Sequence, residues 1–312
     1  WGDTGAKRRN YGKGVIFQEV TLQEVFEALK IIPDCGLDKK DNVFYSHRTL
    51  PDGTDAYFVF NHTGDAYSFS PVFREGKGRQ PELWDPVQGT MRKLPAYENQ
   101  GDATLVPLHL EKHESVFIVF REKGKPQSKD LLANFPELQT VTGLNSAWEV
   151  SFNSDAVHRG PDETVSFTEL QDWKTSADPR IKFYSGTAIY KNKFTLPENA
   201  TSQDLFLDLG KVGMMAKVKV NGQYAGGVWT APYHVNISKQ AKAGENTLEI
   251  KVVNTWVNRL IGDRQVPEQD RITHSRFTNW EKESDMQSSG LIGPVKVVSA
   301  STSGKKTIVV KV

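Results

Sequence analysis

The sequence predicts a mainly β protein with two antiparallel β-sandwiches in series, preceded by a short α/β segment. Apolar and polar residues alternate with a period of two along many short segments, which is the pattern of half-buried strands. Turn dipeptides such as Asn221-Gly222 separate these segments. Helical spacing of apolar residues is nearly absent from the last third of the chain, and strands without helices pack as sheet on sheet.

Residues 1–40 differ from the rest and are predicted to form an α/β segment. An apolar strand is expected at residues 14–20, and Thr21 with Glu24 three positions later forms a capping-box pattern. Apolar residues at helical spacing follow, and Pro33 is expected to end the helix. One strand and one helix cannot bury both of their apolar faces. The segment is therefore interpreted as the tail of a preceding α/β domain, the alternative being a decoration docked on the next sandwich.

Residues 41–122 are predicted to form the first sandwich. A hairpin turn is expected at Pro51-Asp-Gly-Thr. The segment Ser115–Phe120 is apolar on both faces, which indicates a central strand. Strands are predicted at residues 43–50, 55–62, 66–73, 90–94, 103–111 and 115–121.

Residues 123–145 are polar and turn-rich at their start, and are predicted to be an exposed linker. The second sandwich is then expected over residues 146–312. In it, the runs 216–220 and 248–252 alternate cleanly between apolar and charged residues. Asn221-Gly222 follows the first run directly and favours a type I′ hairpin, because both central residues need positive φ.

Composition narrows the function. The 312 residues include 39 basic and 38 acidic ones, a formal net charge of +1, so a basic face for nucleic acid is not expected. The single cysteine, Cys35, excludes an intrachain disulfide and a cysteine zinc cluster. No apolar run approaches the length of a membrane span.

The search for catalytic, metal and cofactor residues leads to none. Glycoside hydrolysis needs two carboxylates across a sugar, and Glu82 and Asp85 are the tempting pair. The structural interpretation is favoured, because Asp85-Pro86 starts a turn and Trp84 is expected to pack into the sandwich. The seven histidines are scattered, and the glycines at 12 and 14 precede a strand rather than a helix, so neither a metal nor a dinucleotide is expected.

A long insertion after the strand at 248–252 is the candidate carbohydrate site. Binding residues are concentrated in such loops. Sugars are bound by flat aromatic faces together with amide, carboxylate and guanidinium groups. The alternative is that these residues form a domain interface or cap the sandwich. The candidate residues, including an adjoining aromatic rim, are Trp229, Tyr233, Trp256, Asn258, Arg259, Asp263, Arg264 and Trp280.

The second sandwich resembles the galactose-binding-like jelly roll of glycoside hydrolases, above all the sugar-binding domain of family 2. The segments that carry this resemblance begin at Ser185-Gly-Thr-Ala-Ile-Tyr-Lys, Asp204-Leu-Phe-Leu-Asp-Leu-Gly, Val218-Lys-Val-Asn-Gly, Ala231-Pro-Tyr-His-Val-Asn-Ile and Gly244-Glu-Asn-Thr-Leu-Glu-Ile. Such a module handles or frames carbohydrate and performs no chemistry itself.

The earlier part of the chain resembles the C-terminal region of glycoside hydrolase family 106, the α-L-rhamnosidases. The motifs are Tyr11-Gly-Lys-Gly-Val-Ile-Phe, Phe44-Tyr-Ser-His-Arg, Asp55-Ala-Tyr-Phe-Val-Phe-Asn, Pro81-Glu-Leu-Trp-Asp-Pro-Val-Gln-Gly and Ser115-Val-Phe-Ile-Val-Phe-Arg, with Gly290-Leu-Ile-Gly-Pro-Val as the closing strand of the jelly roll.

The resemblance implies an accessory role. The family carries its catalytic carboxylates in an N-terminal (β/α)-barrel, and nothing here reads as eight strand–helix units. The chain is expected to support a catalytic domain of the same parent chain, which breaks down plant or other complex polysaccharides. The expected location is the periplasm or outside the cell, and the expected ligand is carbohydrate, bound weakly. The alternatives are a free-standing carbohydrate-binding protein and a purely structural spacer.

Overall fold

The computed structural model describes residues 7–37, 42–75, 77–202, 204–273, 275 and 279–300. The fold is mainly β, and all of its named strand pairs are antiparallel within this part of the chain. This confirms the predicted class. Across the described residues, no helix is both long and apolar enough to span a lipid bilayer.

The N-terminal segment holds a hairpin and one helix. Its elements are β1 (Arg8–Tyr11), β2 (Gly14–Phe17), α1 (Leu22–Ala28) and β3 (Cys35–Gly36). The capping box is present: the Thr21 N–H donates to Glu24 Oε2 at 2.7 Å, and Thr21 Oγ1 accepts from the Glu24 N–H at 3.3 Å. The helix ends at Ala28, before Pro33. None of the seven residues of this helix is buried. The apolar face of the helix is therefore uncovered by the rest of the described chain.

Within the described residues, ten strands and the edge strand β3 of the preceding segment build the first sandwich. The ten strands are β4 (Val43–Thr49), β5 (Asp55–Asn61), β6 (Tyr67–Phe69), β7 (Val72–Phe73), β8 (Arg79–Asp85), β9 (Thr90–Lys93), β10 (Glu98–Asn99), β11 (Thr104–Leu105), β12 (Leu108–Leu110) and β13 (Ser115–Lys123). One sheet has the order β4-β5-β13-β8-β9, with β13 in its centre as predicted. The order β10-β11-β7-β3 and the pair β12-β6 form the other ladders. Tyr57, Phe73 and Phe120 meet edge-to-face in the core.

Two sequence predictions for this sandwich need correction. The strand expected at 66–73 is split into β6 and β7, and that expected at 103–111 is split into β11 and β12. The strand β8 was not predicted, because the prolines at 81 and 86 masked it. Pro81 lies opposite Phe120 inside the ladder, where β8 bonds β13 on one side and β9 on the other.

Parts of the expected linker at 123–145 belong to one sandwich or the other. It contains α2 (Leu131–Asn134) and β14 (Leu138–Gly143). The buried Asn134 side chain donates to the carbonyls of Ala96 at 2.8 Å and Pro107 at 2.9 Å in the first sandwich. The strand β14 instead pairs into a sheet of the second sandwich. The second sandwich thus starts before residue 146.

Within the described residues, the second sandwich contains eleven further strands and two short helices. They are β15 (Trp148–Phe152), β16 (Val165–Phe167), α3 (Pro179–Lys182), β17 (Thr187–Leu196), β18 (Leu205–Asp208), β19 (Lys211–Val212), β20 (Met215–Val220), β21 (Gln223–Val228), β22 (His234–Asn236), β23 (Gly244–Val253), α4 (Val257–Asp263), β24 (Leu291–Gly293) and β25 (Lys296–Ala300). The predicted residues 301–312 of this domain lie outside the described residues.

Two sheets enclose its core. The larger has the order β16-β15-β17-β23-β20-β21 and faces a sheet of order β14-β25-β18-β22. Trp148, Trp173 and Tyr190 are fully buried between them. The predicted hairpin is confirmed, since Asn221 and Gly222 join β20 to β21 with φ of 52° and 76°.

Candidate functional site

Several loops leave the six-stranded sheet at one end, which we call the loop end (residues 153–164, 176–186, 229–233, 254–273 and 279–290). Val228 of β21 and Val252 of β23 both lie directly opposite Ala216 of β20 in the sheet. At the same level, Ala188 of β17 pairs with Val252 and with Phe152 of β15. The chain before β17, after β15, after β21 and after β23 therefore gathers at this end.

The predicted irregular insertion starts with a helix, α4, which corrects the expectation of a loop. Val257, Leu260 and Ile261 have helical spacing. The signal is weak in the sequence because the helix has only seven residues. Gly262 allows the helix to approach Phe183, since a Cβ there would lie 2.6 Å from the Phe183 Cγ atom. The polar candidates of the insertion are thus fixed by a packed helix.

Asn258 and Asp263 hold the rest of the insertion in place. Asn258 Oδ1 accepts from the Gln287 N–H at 2.9 Å, and its Nδ2 donates to the Gln287 carbonyl at 2.8 Å. Asp263 Oδ2 accepts from the Ile272 N–H, the Thr273 N–H and the Thr273 hydroxyl at 3.1, 2.7 and 2.6 Å. Both residues are buried. Their polar groups organise the loop rather than face outward.

Arg259 is buried without comparable partners. Its side chain is 8% exposed, and its Nη2 atom has no hydrogen-bond partner in the structure as described. Burial lowers the pKa of this guanidinium; the carboxylate of Asp263 opposes this effect, and the positive charge of Arg159 adds to it. Arginine nevertheless stays protonated in proteins. The loop end therefore contains a buried cation with unused hydrogen-bonding capacity.

Trp256 presents an aromatic face directly before α4. It is 44% exposed, and its ring stacks with His158 at a centroid distance of 6.2 Å and an interplanar angle of 26°. Asp155 fixes His158, with 2.8 Å between Asp155 Oδ1 and His158 Nδ1. His158, Arg159 and Asp155 were not among the predicted site residues. The spacing Asp155-x-x-His158 in a turn was the available signal, although nothing in it points to Trp256, a residue distant in sequence.

The two remaining insertion candidates meet each other. Arg264 Nε donates to the Trp280 carbonyl at 3.3 Å, so this arginine ties the far part of the insertion back to the end of α4. Trp280 is half-buried. A role in sugar binding stays a prediction for both.

Trp229 and Tyr233 have different surroundings from Trp256. Trp229 is 59% exposed, and its neighbour Thr230 donates to the His113 carbonyl of the first sandwich at 3.5 Å. Tyr233 packs against the core of the second sandwich, and burial raises its pKa. The strand β20 separates β21 from β23, which places the two strand ends about 10 Å apart. The aromatic rim thus shares the loop end but borders the junction between the sandwiches.

The carboxylates Glu82 and Asp85 have structural partners. Glu82 is buried and accepts from Trp84 Nε1 and Arg121 Nε, both at 3.0 Å. Asp85 Oδ1 accepts from the N–H groups of residues 87 and 88 at 2.8 and 3.0 Å and shapes the expected turn. Trp84 differs from the expectation, because it is half-buried under Arg121 at 5.3 Å instead of in the core.

A groove of about 640 Å³ on the outer face of the six-stranded sheet is a second concave feature. Its charged side chains pair across strands, Lys219 with Glu249 at 3.2 Å and, at its margin, Lys193 with Glu245 at 3.1 Å. Its lining has no aromatic residue. No group of three or more His, Cys, Asp or Glu residues is arranged to hold a metal ion anywhere in the described ranges. The loop end is therefore the better candidate for sugar contact.

Two family models match the chain. Residues 1–99 match the model of glycoside hydrolase family 106, described as alpha-L-rhamnosidase. Residues 148–286 match the model described as glycosyl hydrolase 2 galactose-binding domain-like. Both resemblances expected from the motifs are thereby confirmed.

Known proteins agree with these matches. A rhamnosidase structure from Novosphingobium sp. PP1Y superposes with a TM-score of 0.82 and 35% identity, covering 94% of this chain and 27% of that one. A protein of Formosa agariphila named "putative beta-glucuronidase" is 36% identical over 179 residues, which is 49% of this chain and 15% of that protein. The chain thus spans less than a third of the length of either relative.

Proposed function

From these matches to glycoside hydrolases, we propose that the chain is the non-catalytic C-terminal part of an α-L-rhamnosidase-like enzyme. It supports a catalytic domain and presents a surface for carbohydrate. The observation that carries this proposal is the uncovered apolar face of α1, on a chain whose structure aligns with only 27% of a rhamnosidase.

Apolar side chains of α1 and of the residues that follow it are exposed. Leu22 is 73% exposed, and Phe26, Leu29, Ile31 and Ile32 are exposed beside it. Fully burying one such side chain contributes about 1.5–3 kcal/mol. Contiguous exposed apolar surface marks an interaction site. A preceding catalytic domain is the partner that the family resemblance supplies.

The surroundings of Glu82 and Asp85 support a non-catalytic role. Two carboxyl groups must face one sugar to act as acid and as base or nucleophile. Glu82 and Asp85, the candidate pair in the sequence, are both held by neighbouring groups of the first sandwich. We infer that the reaction belongs to the parent enzyme, acting on complex polysaccharides in the periplasm or outside the cell.

The test has two parts. The purified chain is assayed with aryl α-L-rhamnoside, α- and β-galactosides and β-glucuronide, and no turnover above buffer is expected. Turnover that Glu82→Gln or Asp85→Asn abolishes contradicts the proposal. The gene upstream of Trp1 is then sequenced. A barrel encoded there supports the proposed parent enzyme. A start codon and a signal peptide there support a free-standing binding protein or a spacer.

Where a barrel is encoded, the docking role of α1 is tested directly. The barrel and this chain are produced separately, and their association is measured by calorimetry. Phe26→Glu, on the apolar face of α1, is expected to weaken association at least tenfold. Tyr224→Glu, at another exposed aromatic position on β21, serves as the control and should leave association unchanged. Equal effects of the two variants refute docking through α1.

A further inference from the structure

We propose that the loop end contains a carboxylate-binding subsite, built from Arg259, Arg159 and Trp256, whose ligand is an acidic sugar such as a uronate residue of an oligosaccharide. This inference rests on the proposed carbohydrate-binding surface and specifies its ligand class. Nothing in the two family matches assigns these residues a role.

The first argument is the buried charge of Arg259. Its Nη2 atom finds no acceptor among the described residues, although nine-tenths of the side chain is buried. Buried polar groups almost always have hydrogen-bond partners. The nearby Asp263 reduces the net charge, but its Oδ2 already accepts three hydrogen bonds from Ile272 and Thr273. A buried cation without a bound acceptor is costly, so an anion supplied from outside is favoured.

A second guanidinium, that of Arg159, acts electrostatically on Arg259. Arg159 is exposed and follows the loop after β15 with φ of 48°, a left-handed conformation rare for a residue with a side chain. Its Nε donates to the Ala156 carbonyl at 3.3 Å, which orients the side chain. Its positive charge acts on Arg259 and lowers the pKa of that group. A bound anion offsets the repulsion between two like charges.

The third argument is the aromatic face beside these charges. Trp256 lies three residues before Arg259, a spacing that places both on the same side of the helix start. The His158 ring stacks against the tryptophan and packs on Gly186, where a Cβ would lie 2.6 Å from His158 Cδ2. The tryptophan is thus supported from behind while 44% of its surface remains available.

The combination selects the ligand. A guanidinium fork matches a planar carboxylate and binds it with two parallel hydrogen bonds. A flat, amphipathic aromatic ring suits the C–H face of a pyranose. A neutral sugar leaves the two positive charges without a bound anion, and a free carboxylate leaves the tryptophan unused. A uronate satisfies both parts of the subsite.

The experiment is a titration of the folded chain, followed by ¹H–¹⁵N NMR, with trigalacturonate, neutral galactotriose and acetate. Trigalacturonate is expected to shift signals of residues 155–160 and 256–264 and to bind at least tenfold more tightly than galactotriose, with affinity that falls as salt is added. Arg259→Gln and Trp256→Ala should each weaken binding at least tenfold. Tyr224→Ala, at an exposed aromatic residue on β21, and Arg180→Gln are controls that should not.

Each outcome has one meaning. Equal binding of the acidic and neutral trisaccharides overturns the inference while leaving the proposed function intact. Tight binding of acetate alone also overturns it, because that result indicates a carboxylate side chain of another domain as the ligand. Shifts elsewhere on the surface, or no sugar binding at all, also overturn it; docking through α1 is tested separately. Where Arg259→Gln fails to fold, the exposed Arg159→Gln replaces it, and unchanged affinity in that variant counts against the subsite.

Discussion

Trp173 Nε1 donates a hydrogen bond of 2.6 Å to the Tyr190 hydroxyl in the fully buried core of the second sandwich. The same hydroxyl accepts from the Leu291 N–H at 3.2 Å. Gly290 makes room for this arrangement, since a Cβ there would lie 2.4 Å from Trp173 Nε1. One tyrosine oxygen thus satisfies two buried donors from separate elements.

Tyr190→Phe is therefore expected to destabilise the protein by about 1–3 kcal/mol, because it leaves both donors buried without an acceptor. Urea unfolding followed by tryptophan fluorescence measures the change. Tyr224→Phe, at an exposed tyrosine, is the matched control and should have no effect. Equal stabilities of Tyr190→Phe and the wild type refute the role of this oxygen.

Glu114 makes stability depend on pH. Burial raises the pKa of its carboxyl to about 7 from its ordinary value of 4.5. The folded state thus binds the proton more tightly than the unfolded state, and stability falls as pH rises from 4.5 to above 7. Glu114→Gln should remove this loss and be more stable than the wild type by about 2 kcal/mol at pH 8, with little difference at pH 4.5. Denaturant unfolding at both values checks it, and a difference independent of pH contradicts the assignment.

The boundary of the second sandwich can be tested by truncation. A fragment of residues 136–312 keeps β14, whereas a fragment of 146–312 removes it and exposes the edge of β25. The longer fragment is expected to unfold in one cooperative transition, and the shorter one to melt at a lower temperature or aggregate. Differential scanning calorimetry of both fragments decides. Identical melting curves exclude a stabilising role for β14.

Gly262→Ala tests the packing of α4. The added methyl group meets Phe183, so the helix or the ring must shift, at an expected cost of about 1–3 kcal/mol. Gly64→Ala is the control, since nothing lies within 4 Å of a Cβ at that position. Thermal unfolding of the two variants compares them. An unchanged midpoint for Gly262→Ala shows that the loop end adapts without cost.

Local signals in the sequence predicted local structure well. The capping box at Thr21 and the hairpin at Asn221-Gly222 depend on residues within a few positions of one another, and both are present. The strand β8 was missed because turn-forming prolines dominate its sequence, while its pairing is decided by β13 far along the chain.

The candidate site was predicted only in part. The aromatic and charged residues of the insertion were visible in the sequence, but their burial was not. Asn258 and Asp263 face inward because they bind backbone groups of residues 272, 273 and 287. The approach of His158 to Trp256 joins two loops about a hundred positions apart, and such contacts leave no trace in local patterns.

Asn134 and β14 also have a mechanical consequence. Asn134 is anchored in the first sandwich by three side-chain hydrogen bonds to residues 96 and 107, and β14 enters the second sandwich at Leu138. Only residues 135–137 lie between the two anchors, a tether of about 10–14 Å when fully extended. A pull that separates the sandwiches therefore loads the Asn134 anchor and the first rungs of the β14 ladder almost at once, and little slack is available to absorb it.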